Sequence, residues 1–156
     1  MSMQTSHLQK RKRYMDKESF KHYMIGVKEI DDEHLVLLEL MEKISLCAVG
    51  DKECIKRITN DIYEQTVIHG THEEAFMEKI NYPYITYHKQ EHASILTRLR
   101  KLKHNRVIHM PQRFLMESIR EAVLGHIDKY DMQIGDFYKG VCNENNRLVS
   151  FTSGQN

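Results

Sequence analysis

The sequence is poor in residues that interrupt helices. Its 156 residues include only 2 prolines and 7 glycines, and tryptophan is absent. An all-β sandwich or barrel needs turn residues about every 8–12 positions, which this chain lacks. No apolar run approaches the roughly 20 residues of a membrane-spanning helix, and no apolar segment follows the basic N-terminus as in a signal peptide. These absences predict a mostly helical chain with no membrane span and no secretion signal.

The chain also lacks an excess of charge of either sign. The chain carries 23 Lys and Arg against 22 Asp and Glu, a net charge of +1 with neutral histidine. A nucleic-acid-binding domain is usually strongly basic, so we expect no nucleic-acid partner. One basic run near the N-terminus breaks the balance: Lys10, Arg11, Lys12 and Arg13. This run could make weak electrostatic contacts with an anionic surface.

Cysteine is scarce as well, and the three cysteines are Cys47, Cys54 and Cys142. An odd number of cysteines without paired spacing is typical of reduced thiols rather than of a disulfide framework. We therefore expect free thiols and a cytoplasmic location.

Apolar residues recur at helical spacing along four segments that are separated by glycine or proline. The predicted helices begin near Asp31 or Asp32, Asp51, Tyr84 and Pro111, and they end near Val49, Ile80, Leu102 and Lys139. Short connections between long amphipathic helices favour an all-α, antiparallel up-down-up-down four-helix bundle. We assign residues 1–18 to an extended, flexible basic N-terminal arm, 19–140 to the helical domain, and 141–156 to a polar C-terminal tail.

Ten histidines are the unusual component of this sequence. Five of them fall on the predicted inward faces of the four helices: His34, His69, His88, His92 and His126. Glu73 lies one helical turn after His69, so the two side chains point into the same space. A single inward histidine is more often a hydrogen-bonded core residue. A buried carboxylate among several imidazoles instead favours a metal site.

This set of donors narrows the choice of metal. Five imidazoles and a carboxylate exceed the four ligands of a single zinc site and are about right for two irons. The sequence has no Glu-x-x-His pair of the kind found in ferritin-like di-iron proteins. It also lacks the His-Glu-x-x-His motif of zinc proteases. The residues alone therefore favour a two-iron site of another kind.

Four segments resemble the successive signatures of the hemerythrins, and the bacteriohemerythrins are the members that they resemble most. The segments run from Gly26 to His34, from His69 to Met77, from Tyr82 to His92 and from His126 to Asp131. The resemblance covers roughly residues 20–140, in the order of the family. It implies a non-haem di-iron centre, with oxo- or hydroxo-bridged irons, inside a four-helix bundle.

The resemblance also implies a role for each ligand. One iron is held by His88, His92 and His126, and the other by His34 and His69, while Glu73 and Asp131 bridge both ions. Asp131 enters this set through the resemblance alone, because it lies five residues after His126, about 140° away on a regular helix. We expect a local bulge to bring it inward.

The function implied by the resemblance is reversible O₂ binding at the iron with two histidines, for oxygen carriage, storage or sensing, rather than catalysis. A dry pocket favours reversibility, and its candidate walls are Leu37, Leu38, Phe76, Ile119 and Val123. The alternatives are a di-iron enzyme that reacts with O₂, peroxide or nitric oxide, with weak redox or peroxidase-like activity, and an iron-handling protein. One departure from the family is Gly70, where an aromatic residue is common. We expect this glycine to open space beside the site.

Overall fold

The computed structural model describes residues 20–103 and 110–152, with side chains as far as residue 143. Four long helices account for most of them. These are α1 (Lys28–Leu46), α2 (Lys52–Lys79), α3 (Ile85–Lys103) and a continuous fourth helix made of α4 (Gln112–His126), a π-helical segment (Ile127–Asp131) and α5 (Met132–Thr152). The described residues contain no β-strand, and the predicted all-α four-helix bundle is confirmed. The predicted N-terminal arm, with its run from Lys10 to Arg13, lies outside the described residues.

The four helices pack in the order in which they occur along the chain. Helix α1 contacts α2 and α4, and α3 contacts α2 and α4, so the four form a closed ring around a shared interior. The connections between α1 and α2 and between α2 and α3 are short, and Gly50 and Asn81 adopt positive φ angles of 87° and 53° in them. The up-down-up-down order stays a prediction that rests on these short connections. No helix in the described part of the chain is long and apolar enough to span a membrane.

The start of the first helix differs from the prediction. Helix α1 begins at Lys28, and Asp31 lies inside its first turn instead of capping it. The carboxylate of Asp31 accepts hydrogen bonds from the backbone N–H groups of Ile25 (2.7 Å) and Gly26 (3.1 Å). It therefore holds the segment of residues 20–27 that precedes the helix, which we call the lead-in. The predicted start of α2 near Asp51 is confirmed: the helix begins at Lys52, and Asp51 caps it by accepting from the N–H of Cys54 at 3.0 Å.

The end of the fourth helix also differs from the prediction. The helix continues through Gly140 to Thr152, whereas the sequence suggested that Gly140 would close it. A glycine terminates a helix when it adopts a left-handed conformation, and Gly140 does not. In a helix interior it costs only about 1 kcal/mol relative to alanine, which the rest of the helix can offset.

The prediction of three free thiols was wrong for two of them. Cys47 and Cys54 form a disulfide, with their Cα atoms 6.0 Å apart, and Cys142 is free. The tight connection between α1 and α2 turns at Gly50 and brings the two cysteines together. The expected cytoplasmic location loses the support that it drew from reduced thiols.

The interior has apolar layers on both sides of a polar one. A large apolar cluster contains Leu37, Ile62, Ile95 and Ile119, with residues from all four helices. Two smaller clusters contain Ile25, Val27 and Ile30, and Met77, Tyr82 and Ile134, respectively. Along α1, α2 and α3, the histidines and the glutamate predicted as ligands lie between residues of the large cluster and residues of the smaller ones. The bundle therefore contains a buried polar layer at one level.

Candidate metal centre

The polar layer consists of all seven residues predicted as metal ligands. Each of them is at most 5% exposed. Helix α1 contributes His34, α2 contributes His69 and Glu73, and α3 contributes His88 and His92. Helix α4 contributes His126, and the π-helical segment contributes Asp131. The structure thus brings the complete predicted set together.

The seven residues form two overlapping groups that could each hold a metal ion. One group contains three histidines, and the other contains two. Glu73 and Asp131 belong to both. Within each group one donor atom per residue lies within 4.8 Å of every other. Two adjacent ions with shared carboxylates would satisfy both groups, since carboxylates offer two oxygens each.

His88 lies at the centre of the three-histidine group. Its Nε2 atom is 3.1 Å from the Nε2 atoms of both His92 and His126. It is also 3.0 Å from an oxygen of Glu73 and 3.2 Å from one of Asp131. One imidazole nitrogen carries either a single hydrogen or a single lone pair, so hydrogen bonding cannot account for four such neighbours. Two nitrogens bound at right angles to one ion, with bonds of about 2.1 Å, would be about 3 Å apart, as they are here.

The two-histidine group is more open. The Nε2 atom of His34 is 3.4 Å from Asp131, and that of His69 is 3.7 Å from Asp131 and 3.8 Å from Glu73. Neither Nε2 atom has a hydrogen-bond partner, and neither do Glu73 Oε1 and both oxygens of Asp131, although all of them are buried. Unpaired buried polar atoms are costly, and their convergence fits a site for positive ions.

Contacts outside the two groups orient three of the rings. The Nδ1–H of His34 donates to the carbonyl of Tyr23 at 2.7 Å, that of His69 to Glu33 at 3.2 Å, and that of His92 to Glu74 at 3.0 Å. A ring whose Nδ1 carries the hydrogen presents a lone pair at Nε2. In the neutral form of each ring, these contacts therefore aim the Nε2 lone pair at the centre.

Sequence reasoning missed these outer partners. Glu33 and Glu74 stand directly beside predicted ligands in the sequence, and this adjacency was the available signal. The carbonyl of Tyr23 has no such signal, since every residue carries one. His72 was predicted to lie outside the ligand set. Its side chain is 59% exposed, and it contacts Glu33, so it touches the outer partner of His69 rather than the centre itself.

Gly70 does not open space beside the centre, contrary to the expectation. A Cβ atom at this buried position would lie 3.2 Å from Nδ1 of His92 and 3.5 Å from its Cγ. The glycine instead gives the His92 ring room to lie against α2, where its Nδ1 reaches Glu74. The space that a side chain would fill is already occupied by a candidate ligand.

The expected bulge between His126 and Asp131 is present. The backbone is π-helical from Ile127 to Asp131. A π-helical turn contains more residues than an α-helical one, so a residue five positions after His126 returns to the same side of the helix. Asp131 is fully buried, and its Oδ1 lies 2.9 Å from Nε2 of His126.

Both carboxylates of the layer are ionised. Burial opposes ionisation of Asp131, but the neighbouring His126 holds the pKa of this carboxyl well below its usual range. Burial and the charge of Asp131 oppose ionisation of Glu73. Hydrogen bonds from His88 and His92 outweigh them and lower its pKa.

Two histidines supply the balancing charge. Burial opposes protonation of His69, but the neighbouring carboxylates of Asp131 and Glu33 outweigh it and raise its pKa to about 10. Burial likewise opposes protonation of His88, but the neighbouring carboxylates of Asp131 and Glu73 outweigh it and raise its pKa to about 9. In the metal-free chain at neutral pH, the positive charges of His69 and His88 therefore face the negative charges of Glu73 and Asp131.

The fold and this layer define a class: a four-helix-bundle protein with a buried histidine–carboxylate cluster for cations. The family model described as "Hemerythrin HHE cation binding domain" matches residues 25–137. The chain belongs to the hemerythrin family, which confirms the resemblance found in the sequence.

Named relatives agree with this family. A bacteriohemerythrin of Campylobacter jejuni subsp. jejuni serotype O:23/36 (strain 81-176) is 28% identical over 115 residues, which cover 70% of this chain and 86% of that protein. A bacteriohemerythrin of Stenotrophomonas maltophilia (strain R551-3) is 24% identical over 76 residues, 48% of this chain and 50% of that protein. No solved structure matches the chain significantly.

Proposed function

We propose that this chain holds two non-haem iron ions in the polar layer and binds O₂ reversibly there. One ion is assigned to His88, His92 and His126, the other to His34 and His69, with Glu73 and Asp131 shared. The observation that carries the proposal is the pair of overlapping donor groups with two carboxylates in common.

The chemistry of the donors supports iron. Imidazole and carboxylate together suit iron, whereas an ion that prefers oxygen ligands would leave five imidazoles without a role. The named relatives are bacteriohemerythrins, and membership of their family supports the same metal. When bound, a pair of reduced irons supplies the electrons that O₂ binding requires.

The two-histidine side is where we place O₂. The three-histidine group offers five donors and the two-histidine group four, so the second ion keeps more coordination positions open. Leu37 and Leu38 lie one turn after His34 on α1, and they pack in the large apolar cluster with Ile119 and Val123. These side chains exclude water from that side, which favours release of O₂ unchanged. Phe76, the fifth predicted wall residue, packs in the two smaller clusters instead.

Iron content and visible absorption test the proposal together. The purified chain should hold two irons. After anaerobic reduction, admission of air should produce a charge-transfer band that disappears when O₂ is removed. A chain that binds O₂ but converts at once to a permanently oxidised form would contradict reversible binding and favour the enzymatic alternative. A chain without iron would contradict the whole proposal.

A pair of variants on α2 locates the site. Glu73→Gln should abolish loading of the second iron, because an amide is a poorer ligand and cannot bridge two cations as a carboxylate does. Glu78→Gln is the matched control, since Glu78 lies on the same helix but pairs with Lys89 at the surface. Loss of iron in both variants, or in neither, would contradict the assigned ligands.

A further inference from the structure

A pocket opens beside the polar layer, next to the connection between α2 and α3. It has a volume of about 210 Å³ and is lined by Tyr82, Tyr84, Tyr87, His88, Tyr130 and Gln133. Four of the eight tyrosines of the chain therefore surround one opening. Tyr84 and Tyr87 are 65% and 51% exposed, unusually high for aromatic side chains.

Two neighbouring structural features create the pocket. The turn between α2 and α3, which contains Pro83, places Tyr82 and Tyr84 at its rim, with their rings 5.9 Å apart. Tyr87 lies in the first turn of α3, and Tyr130 lies in the π-helical segment. The hydroxyls of Tyr87 and Tyr130 are 3.4 Å apart, and their rings 5.8 Å apart. The same bulge that brings Asp131 inward thus sets Tyr130 in the pocket wall.

The pocket connects the surface to the candidate metal centre. Its floor is His88, a predicted iron ligand. The Tyr130 ring lies 5.2 Å from the ring of His126 and 6.3 Å from that of His88. A molecule in the pocket would therefore be separated from the nearer ion by the thickness of one imidazole.

We propose that this tyrosine pocket binds a single-ring hydroquinone-type reductant, which passes electrons through His88 to the metal centre. The proposal rests on the proposed function, since the electrons need a two-iron acceptor. The reductant enters on the three-histidine side, and O₂ is assigned to the two-histidine side. The two partners would therefore not compete for the same space.

The size and chemistry of the walls select this class of ligand. A protein cavity of about 150 Å³ accommodates benzene, so about 210 Å³ suits one aromatic ring with small substituents. Tyrosine rings favour edge-to-face and offset contacts with another ring. Their hydroxyls and the amide of Gln133 both donate and accept hydrogen bonds, as the two hydroxyls of a hydroquinone require.

The electron balance closes with one ligand molecule. Oxidation of a hydroquinone to the quinone releases two electrons and two protons. The two electrons match the need of a two-iron centre held by the seven ligands, which would take up one electron per ferric ion on return to the ferrous form. The two protons leave to solvent through the open mouth of the pocket, beside Tyr84 and Tyr87. No further oxidant or reductant is needed.

Binding is tested on the full-length chain without iron, so that the result does not depend on activity. The probes are hydroquinone, kept anaerobic, and its isomer resorcinol, which does not form a quinone. With ¹³C-labelled tyrosine, both should shift the ring signals of Tyr82, Tyr84, Tyr87 and Tyr130 in saturable fashion and leave Tyr63 unmoved. Shifts of all tyrosines alike, or of none, would overturn the proposal.

Variants then test electron delivery in the oxidised, iron-loaded chain. Tyr84→Leu and Tyr87→Leu remove exposed rings, so both variants should fold. Each should slow reduction by low concentrations of hydroquinone about three- to tenfold, the effect of losing one aromatic contact. Reduction by dithionite, which has no ring, should keep its rate. Tyr63→Leu is the matched control, because Tyr63 packs against the large apolar cluster and bonds to Arg100.

The outcomes separate this inference from the proposed function. Iron loading and reversible O₂ binding with equal hydroquinone rates in all variants would overturn the pocket alone. Failure to load iron would overturn the proposed function, and the electron route with it. An equal slowing of hydroquinone and dithionite would show that the tyrosines support the centre itself rather than a docked ring, which also overturns the proposal.

Discussion

Six of the seven side chains of the polar layer could be predicted from the helical pattern, because each interrupts an apolar stripe. His34 and His69, for example, occupy positions where the surrounding helical pattern calls for leucine or isoleucine. Asp131 had no such signal, because its helical position makes sense only when the backbone becomes π-helical. The carbonyl of Tyr23, which orients His34, could not be predicted either, since backbone acceptors leave no trace in residue type. At the residue scale, the sequence thus predicts which side chains enter the site, but it does not predict the contributions of the backbone.

Gly70 provides a test at this scale. Gly70→Ala places a methyl group 3.2 Å from Nδ1 of His92, so the ring must shift and its hydrogen bond to Glu74 weakens. Loss of such an outer contact typically lowers metal affinity about 10- to 100-fold. Competition with a chelator measures this on the iron-loaded chain. Gly125→Ala is the control, because nothing lies within 4 Å of its added Cβ. It should leave metal affinity unchanged, and equal affinities in the two variants would refute the role of Gly70.

At the scale of elements, the number and approximate extent of the helices followed from periodicity, and their ends did not. Asp31 is a good capping residue by type, but its carboxylate serves the lead-in one turn earlier. Gly140 is a good terminator by type, but no tertiary contact forces it into a left-handed turn. Helix ends depend on what packs against them, and single-residue preferences of about 1 kcal/mol do not decide this.

The contact between the lead-in and α5 depends on one glycine. A Cβ atom at Gly135 would lie 2.4 Å from the carbonyl oxygen of Ile25 and 3.0 Å from its Cα. Gly135→Ala should therefore push the lead-in away and lower the free energy of unfolding by about 1–3 kcal/mol. The orienting bond from His34 to Tyr23 would loosen with it.

Thermal and denaturant unfolding of Gly135→Ala measure this effect, with Gly140→Ala as the control on the same helix. The added Cβ of Gly140→Ala meets nothing within 4 Å, so this variant should be more stable by about 0.5–1 kcal/mol through helix propensity alone. The two glycine-to-alanine substitutions, five residues apart, should therefore change the free energy of unfolding in opposite directions. A stabilised Gly135→Ala would contradict the close packing of the lead-in.

The disulfide makes a separate contribution at the connection between α1 and α2. It closes a loop with a sequence separation of 7, which in the chain-entropy view contributes about 2 kcal/mol. Cys54→Ser should lower the free energy of unfolding by about this amount. Reductant should destabilise the original chain equally and leave the variant unchanged. Since Cys142 is the free cysteine, Cys142→Ser serves as the control and should keep its sensitivity to reductant. If reductant did not change the stability of the original chain, the disulfide between Cys47 and Cys54 would be contradicted.

At the scale of the whole molecule, the bundle buries ionised groups that would ordinarily destabilise a core of this size. Protonated His69 and His88 balance Glu73 and Asp131 in the metal-free chain. Two metal ions would take over the role of those protons. The near-neutral net charge of the sequence could not predict this exchange of protons for metal ions, because the exchange depends on which charged groups lie together in the interior.

Stability and metal loading should therefore depend on pH in opposite directions. The folded pKa values of His69 and His88, about 10 and 9, exceed the ordinary 6.5, so their contribution to folding is complete below pH 6.5 and is lost as pH rises through 9–10. The lowered pKa values of Glu73 and Asp131 give a contribution that is lost as pH falls below about 4.5. The metal-free chain should be most stable between these limits.

Loading with iron(II) at pH 7.5 must remove the protons of His69 and His88, since only neutral imidazole is a ligand. We expect release of about two protons per chain, measured with an indicator dye in weak buffer, and an affinity for iron that rises with pH. His22→Gln is the control, because this exposed side chain pairs with Asp128 outside the layer, and the variant should release the same number. If loading released no protons, or if the metal-free chain grew more stable from pH 6.5 to 9, the two histidines would not be charged in the empty layer. The imidazoles of His69 and His88 would then already be neutral, and able to bind a metal ion, in the metal-free chain.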